Sequence, residues 1–196
     1  KEDNYLNLPK PEDLKLDGNA AYLHMTSNET IGGIQWHTFP DSGQVPIICD
    51  MSSDFMSRKL PLEKFGLIYA GAQKNAGPAG VAVVIVREDM LDRCPENQLA
   101  YLDYKIHAAK DSMYNTPPVF PIYMVSLVME WVKDNGGLAA MEKRADERSG
   151  IIYGAMEKNP DFYRCPVPAH CRSKMNVVFR LPSEDLEKKF IAEAKF

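Results

Sequence analysis

The stretch Leu67-Ile-Tyr-Ala-Gly-Ala-Gln-Lys-Asn-Ala-Gly-Pro-Ala-Gly80 runs an apolar segment into small residues, then a lysine, then a turn built on two further glycines. It leads directly into Gly80-Val-Ala-Val-Val-Ile-Val-Arg87, which is β-branched and apolar on both faces. That pattern predicts a strand over Val81 to Val86 covered on both sides by other elements. Upstream, Ala21 to Met25 and Val45 to Cys49 are further short apolar runs, set off by polar or glycine-rich turns as is Leu67 to Ala70. Buried strands in this arrangement predict an α/β fold with a mainly parallel sheet flanked by helices.

Beyond Arg87 a polar connection through Asp92 to Glu96 leads to Met113-Tyr-Asn-Thr-Pro-Pro118. Prolines suit the first turn of a helix, where a missing N–H costs little, and Thr116 is placed to cap it. The helix is expected to run to Asp134. Phe120, Met124, Leu127, Val128, Trp131 and Val132 recur at helical spacing and are expected in the core, with Asn135-Gly-Gly137 as the stop. A second, more charged helix is expected from Leu138 to Lys158, ending at Asn159-Pro160. Met175-Asn-Val-Val-Phe-Arg180 reads as a strand, and Pro182-Ser183 opens a helix that continues to Phe196. A domain boundary is expected near residue 160, with 1–160 in a large domain and 161–196 at the start of a smaller α+β one.

A net charge of −4 over 196 residues offers no basic excess to neutralise a nucleic-acid backbone, which directs attention to small-molecule or protein partners. The cysteines, Cys49, Cys94, Cys165 and Cys171, form no CxxC pair and are too sparse for a disulfide scaffold, so reduced thiols in a cytoplasmic protein are expected. His170 and Cys171 near Cys165 lack a second ligand pair and read as a surface loop, not a metal site. No apolar run approaches the roughly 20 residues that span a bilayer, and Lys1 to Lys10 carries no signal-peptide core; neither membrane attachment nor export is expected.

Lys74 is the residue on which chemistry centres. A lysine at the end of a buried strand is expected to be desolvated, which favours the free amine that attacks an aldehyde to form an imine. Small neighbours allow a flat ligand to approach it. The plainer alternative is a lysine that caps the strand and reaches water. Asp50 closes Val45-Pro-Ile-Ile-Cys-Asp50 at the carboxyl end of a strand, where open α/β sheets bind ligands; on its own it reads more readily as a loop cap.

The motifs Asn28-Glu-Thr30, Asp50-Met-Ser-Ser53, Ala70-Gly-Ala-Gln-Lys-Asn75 with Gly77-Pro-Ala-Gly80, Val84-Ile-Val-Arg87 and Tyr114-Asn-Thr-Pro-Pro118 occur in the order and spacing of the phosphoserine aminotransferase family. Asn135-Gly-Gly137 and Ser173-Lys-Met-Asn176 extend the likeness, which runs from about Tyr22 to the C-terminus. The resemblance implies a class V, fold type I aminotransferase with pyridoxal 5'-phosphate as cofactor. Lys74 would be the Schiff-base lysine and proton shuttle. Asp50 would pair with the pyridinium nitrogen, Thr30 would donate near the phenolic oxygen, and Gln73 would contact the cofactor phosphate. Asn115 and Thr116 would reach the cofactor phosphate of a partner subunit, each site being built across a homodimer interface.

The implied reaction moves an amino group reversibly between L-glutamate and 3-phosphooxypyruvate, giving O-phospho-L-serine and 2-oxoglutarate in serine biosynthesis. Some bacterial members also serve vitamin B6 biosynthesis. The chain is expected to begin inside the family's cofactor-binding domain and to stop before its C-terminal domain is complete. The glycine-rich phosphate turn, the ring-stacking aromatic and the histidine and arginine cluster that reads substrate would then lie outside it. Trp36 is expected to be a packing or interface residue, and His37 a polar surface or core residue. Another type I aminotransferase, or an inactive fragment serving as a dimerisation module, remains as an alternative reading.

Overall fold

The computed structural model describes residues 5–194. Its centre is a sheet of four strands: β1 (Leu23–Thr26), β4 (Ile47–Asp50), β5 (Phe65–Gly71) and β6 (Ala82–Val86), in that spatial order. β1, β4 and β5 are parallel, and β6 runs antiparallel to β5. Each expected strand of the first half is present within a few residues of its expected ends.

Two short strands that the sequence did not announce, β2 (Asn28–Glu29) and β3 (Ile34–Gln35), form an antiparallel hairpin directly after β1. Gly33 at its turn has φ +68° and stands tightly against the later chain, where an added Cβ would lie 2.9 Å from the Asn176 carbonyl oxygen. Only glycine takes that conformation without strain, which accounts for the second glycine of the pair following Thr30.

The alternation of β4 decides what the sheet buries. Ile47 and Cys49 are fully buried on one face, while Ile48 and Asp50 are partly open on the other. The buried face joins Met25, Ile68 and Ala70 to Phe39, Met51, Phe55, Phe65, Ala72 and Ala76, with Val125 closing the cluster from a helix. At roughly 1.5–3 kcal/mol per fully buried large apolar side chain, this cluster is the main stabiliser of the sheet.

β6 departs from expectation: it is an edge strand of the described sheet with half-open faces, and Ile85 is 42% exposed. Ten residues, 72–81, connect it to β5. That is too short for a helical crossover, so the chain can only turn back antiparallel.

α1 (Glu88–Leu91) and α2 (Tyr104–Ala109) are short; α3 (Val119–Asp134), α4 (Gly137–Glu157) and α5 (Glu184–Glu193) are the main helices. Thr116 does not cap α3. Both prolines precede its first residue, Pro118 stands at the cap, and no side chain caps the end. The apolar stripe of α3 is also not core as a whole, since Val125 and Val132 are buried but Phe120 is 68% and Trp131 51% exposed. A helix apolar nearly all round has more apolar surface than one contact face can cover. Gly136, with φ +93°, ends α3, and α4 starts at once.

Met175 to Arg180, expected as a strand, forms none. Its backbone pairs only through the isolated bridge of Arg180 with Arg164, and a strand needs a partner along its length. Ser183 caps α5 by accepting from the Leu186 N–H, and the helix ends at Glu193; its expected continuation to Phe196 falls partly outside the described residues. Cys171 is fully buried in a second cluster with Ile34 and Val167, not in a surface loop. All the cysteines are unpaired, and the Cys49 thiol is pushed up to about 12, by burial first. Among the described residues no helix is long and apolar enough to cross a membrane.

Candidate active site

The register of the parallel strands sets Thr26 beside Asp50 and Asp50 beside Tyr69. Alternation then aims all three side chains at the open face, near the carboxyl ends of the strands. The Asp50 carboxylate is fixed locally, for its Oδ1 accepts the Ser52 backbone N–H at 2.8 Å. Ser52 in turn accepts the Gly71 N–H at 3.0 Å through its hydroxyl, tying the end of β4 to that of β5. Behind Asp50, burial and the neighbouring carboxylate together hold the Tyr69 phenol above its ordinary range, and its oxygen lies 3.0 Å from His24 Nε2.

Lys74 lies in the turn beyond β5 and is exposed, so the expectation of a desolvated lysine does not hold. The strand ends at Gly71, and three further residues carry the lysine past the buried layer. Its amine donates instead to Thr30 Oγ1 at 2.6 Å, across the gap between that turn and the β2–β3 hairpin. Gln73 is exposed beside it, with its side-chain amide folded over Gly71; an added Cβ there would stand 2.6 Å from Gln73 Oε1. Gly77 has a similar use at the back of the turn, where a Cβ would come 2.8 Å from Val125 Cγ2.

Thr30, Asp50, Gln73 and Lys74 thus gather around one end of the sheet. Asn115 and Thr116 stand apart on the exposed loop before α3, the Asn115 amide donating to the Thr116 carbonyl. A cavity of about 430 Å³ between α3, α4 and residues 174–177 is lined by none of these six residues, so the cluster forms an open ledge.

The residues beneath the ledge carry no sequence signal of their own. Asn28 is 2% exposed; its Nδ2 donates to Ser53 Oγ and to Asn176 Oδ1, both at 2.8 Å, and its Oδ1 accepts from Ser173 Oγ at 2.5 Å. Asp54, equally buried, accepts from Ser27 Oγ, from Gln35 Nε2 at 3.1 Å and from Arg58 at 3.3 Å. Buried polar groups must find partners, and here they do so across three segments distant in sequence. Asn28, Ser53, Ser173 and Asn176 lie within motifs and Asp54 in none, and a short polar side chain has no periodicity that reveals its partners.

The donor set suits a flat cofactor bearing an aldehyde, a ring nitrogen and a phosphate. It offers an amine, a carboxylate, a hydroxyl and an amide, with Gly71 and Gly77 leaving the turn low. No cluster of three or more ligating side chains occurs among the described residues.

Fold and site define a class of enzyme, and the comparison with known families agrees: the class-V aminotransferase model matches residues 4–195, and the chain belongs to that family. Within it the chain is similar to phosphoserine aminotransferases. That of Laribacter hongkongensis is 54% identical over 187 residues, covering 95% of this chain and 52% of the relative. The structure of phosphoserine aminotransferase from Bacillus circulans subsp. alkalophilus superposes with a TM-score of 0.95 at 49% identity, covering 98% of this chain and 53% of that one. The pyridoxal-phosphate-bound enzyme from Trichomonas vaginalis gives 0.89 at 39% identity, covering 97% and 54%. The chain spans about half the length of the relatives it matches.

Proposed function

We propose that the protein transfers an amino group between L-glutamate and 3-phosphooxypyruvate, with pyridoxal 5'-phosphate carried on Lys74. The observation that carries this reading is the Lys74 amine on the Thr30 hydroxyl at 2.6 Å, at the same strand ends as Asp50, in a chain about half identical to phosphoserine aminotransferases. When bound, the cofactor supplies a protonated conjugated ring that takes up the electron pair released at the substrate α-carbon.

The chain's own residues do the rest. Lys74 would hold the cofactor through its amine and, when freed by the substrate's amine, would carry the proton from the substrate α-carbon to the carbon of the former aldehyde. Asp50, its Oδ1 held by the Ser52 N–H, would keep the proton on the ring nitrogen. Thr30 places the lysine amine and would donate toward the cofactor's phenolic oxygen, and Gln73 would hold the phosphate. Asn115 and Thr116 serve the cofactor phosphate of a partner subunit. The open apolar side of α3, including Phe120 and Trp131, supports a homodimer.

The division into a large domain to about residue 160 and the start of a smaller one from 161 belongs to the same reading. So does a cytoplasmic location without nucleic-acid or membrane partners; the net charge of −4 supports the absence of a nucleic-acid partner. The test is incubation with pyridoxal phosphate, borohydride reduction and peptide mass mapping. A cofactor adduct on Lys74 is expected; an adduct elsewhere, or none, overturns the reading.

A further inference from the structure

We propose that Asn28 is a positioning residue for Lys74, acting through Thr30. The inference rests on the assignment of Lys74 as the reactive amine. The β2–β3 hairpin that carries Thr30 is not a member of the main sheet. Ser27, just before it, holds the Asp50 carbonyl with its N–H at 2.9 Å, but nothing in the sheet ladder fixes how far its turn leans toward residues 72–76. Asn28, two residues before Thr30, supplies that anchor.

Its amide reaches the loop after Asp50 through Ser53 and the later chain through Ser173 and Asn176, and Ser53 Oγ returns a bond to the Asn28 carbonyl at 2.7 Å. Ser173 Oγ also accepts the N–H groups of Met175 and Asn176, both at 3.0 Å, so its own segment is locked as a turn. On the other side of the hairpin the Ser173 N–H meets the Gly33 carbonyl at 2.8 Å, and Gly33 packs on Val178. The hairpin is therefore clamped between the Asp50 loop and residues 173–178. The position of Thr30 Oγ1 against Lys74 Nζ is set by that clamp.

The Thr30 oxygen accepts from Lys74 and so holds the amine against the hairpin. Loosening the clamp releases that amine to reagents in solution.

The test follows Lys74 alone. The cofactor-free protein is reductively methylated with formaldehyde and cyanoborohydride at one fixed pH, and the rate of labelling of the Lys74 peptide relative to the other lysine peptides is read by mass spectrometry. Asn28→Ala and Thr30→Ala should each raise that relative rate several-fold, and the double variant no further, because both remove the same contact. Ser173→Ala, which removes a single partner of the amide, should move it the same way by less, and it serves as the test if Asn28→Ala fails to fold. A faster rate in Thr30→Ala with no change in the folded Asn28 and Ser173 variants overturns the positioning role and leaves the functional reading standing. Absence of a pyridoxal-phosphate adduct on Lys74 in the unmodified sequence overturns that reading itself.

Discussion

At the scale of single residues, the carboxylate and the lysine are the most exacting positions. Asp50→Ala removes the carboxylate proposed to keep the cofactor ring protonated, and amino transfer from glutamate should fall by several orders of magnitude in a steady-state assay. Lys74→Ala should abolish it while leaving the unfolding transition near that of the parent, because an exposed side chain with one hydrogen bond contributes little to stability. Retained activity in either variant would refute the assigned role.

Cys49 offers a check on the core that involves no cofactor. Its thiol is raised from 9.0 to about 12, chiefly by burial. The folded state thus favours the protonated form, and the stability this contributes is present below about pH 9 and lost as pH rises toward 12. Iodoacetamide at pH 8.5 should leave Cys49 unmodified in the folded protein and label it in urea, as read by peptide mapping. These residues were legible because each ends a recognisable apolar run. Asn28, Ser53, Ser173 and Asn176 were not, because their meaning lies in partners 25 and 145–148 residues away in sequence.

At the scale of elements, the apolar runs named the strands correctly but not their surroundings. β6 reads as doubly covered and is an edge, because composition reports what a strand tolerates and the length of the 72–81 connection decides which way it runs. The β2–β3 hairpin escaped notice because two-residue strands carry no alternation to read. Its turn and that of Lys74 can be probed by the glycines that shape them. Gly77→Ala sets a methyl 2.8 Å from Val125 Cγ2, a purely steric conflict, so it should cost about 1–3 kcal/mol in urea unfolding and be largely relieved by Val125→Ala beside it. Gly33→Ala should destabilise by a similar amount of about 1–3 kcal/mol, but Val178→Ala should not rescue it. There the conflict includes a positive φ and the Asn176 carbonyl oxygen at 2.9 Å, neither of which a smaller neighbour removes. Rescue at position 33 equal to that at 77 would show that backbone strain is not the cause.

At the scale of the whole molecule, α3 connects surface to site. Helical spacing marked it as apolar, but spacing alone cannot say whether an apolar face meets its own core or another chain. The buried positions, Val125 and Val132, are seven residues apart on one face, while Val119, Phe120, Tyr123 and Trp131 stay more than half exposed. An apolar face of this kind is costly to leave in water and marks an interaction surface. The exposed loop that precedes it carries Asn115 and Thr116, whose side chains make no hydrogen bond to the Lys74 ledge of their own chain among the described residues. If the open side of α3 is the homodimer contact, separating the subunits must also withdraw those two residues from the cofactor phosphate. Phe120→Glu with Tyr123→Glu should therefore shift sedimentation toward the monomer and, in the same protein, weaken pyridoxal phosphate binding measured by fluorescence quenching. Asn115→Ala should weaken cofactor binding without changing sedimentation. A charged α3 that sediments as a monomer but binds cofactor as tightly as the parent would separate the interface from the site, and Asn115 and Thr116 would lose their proposed role.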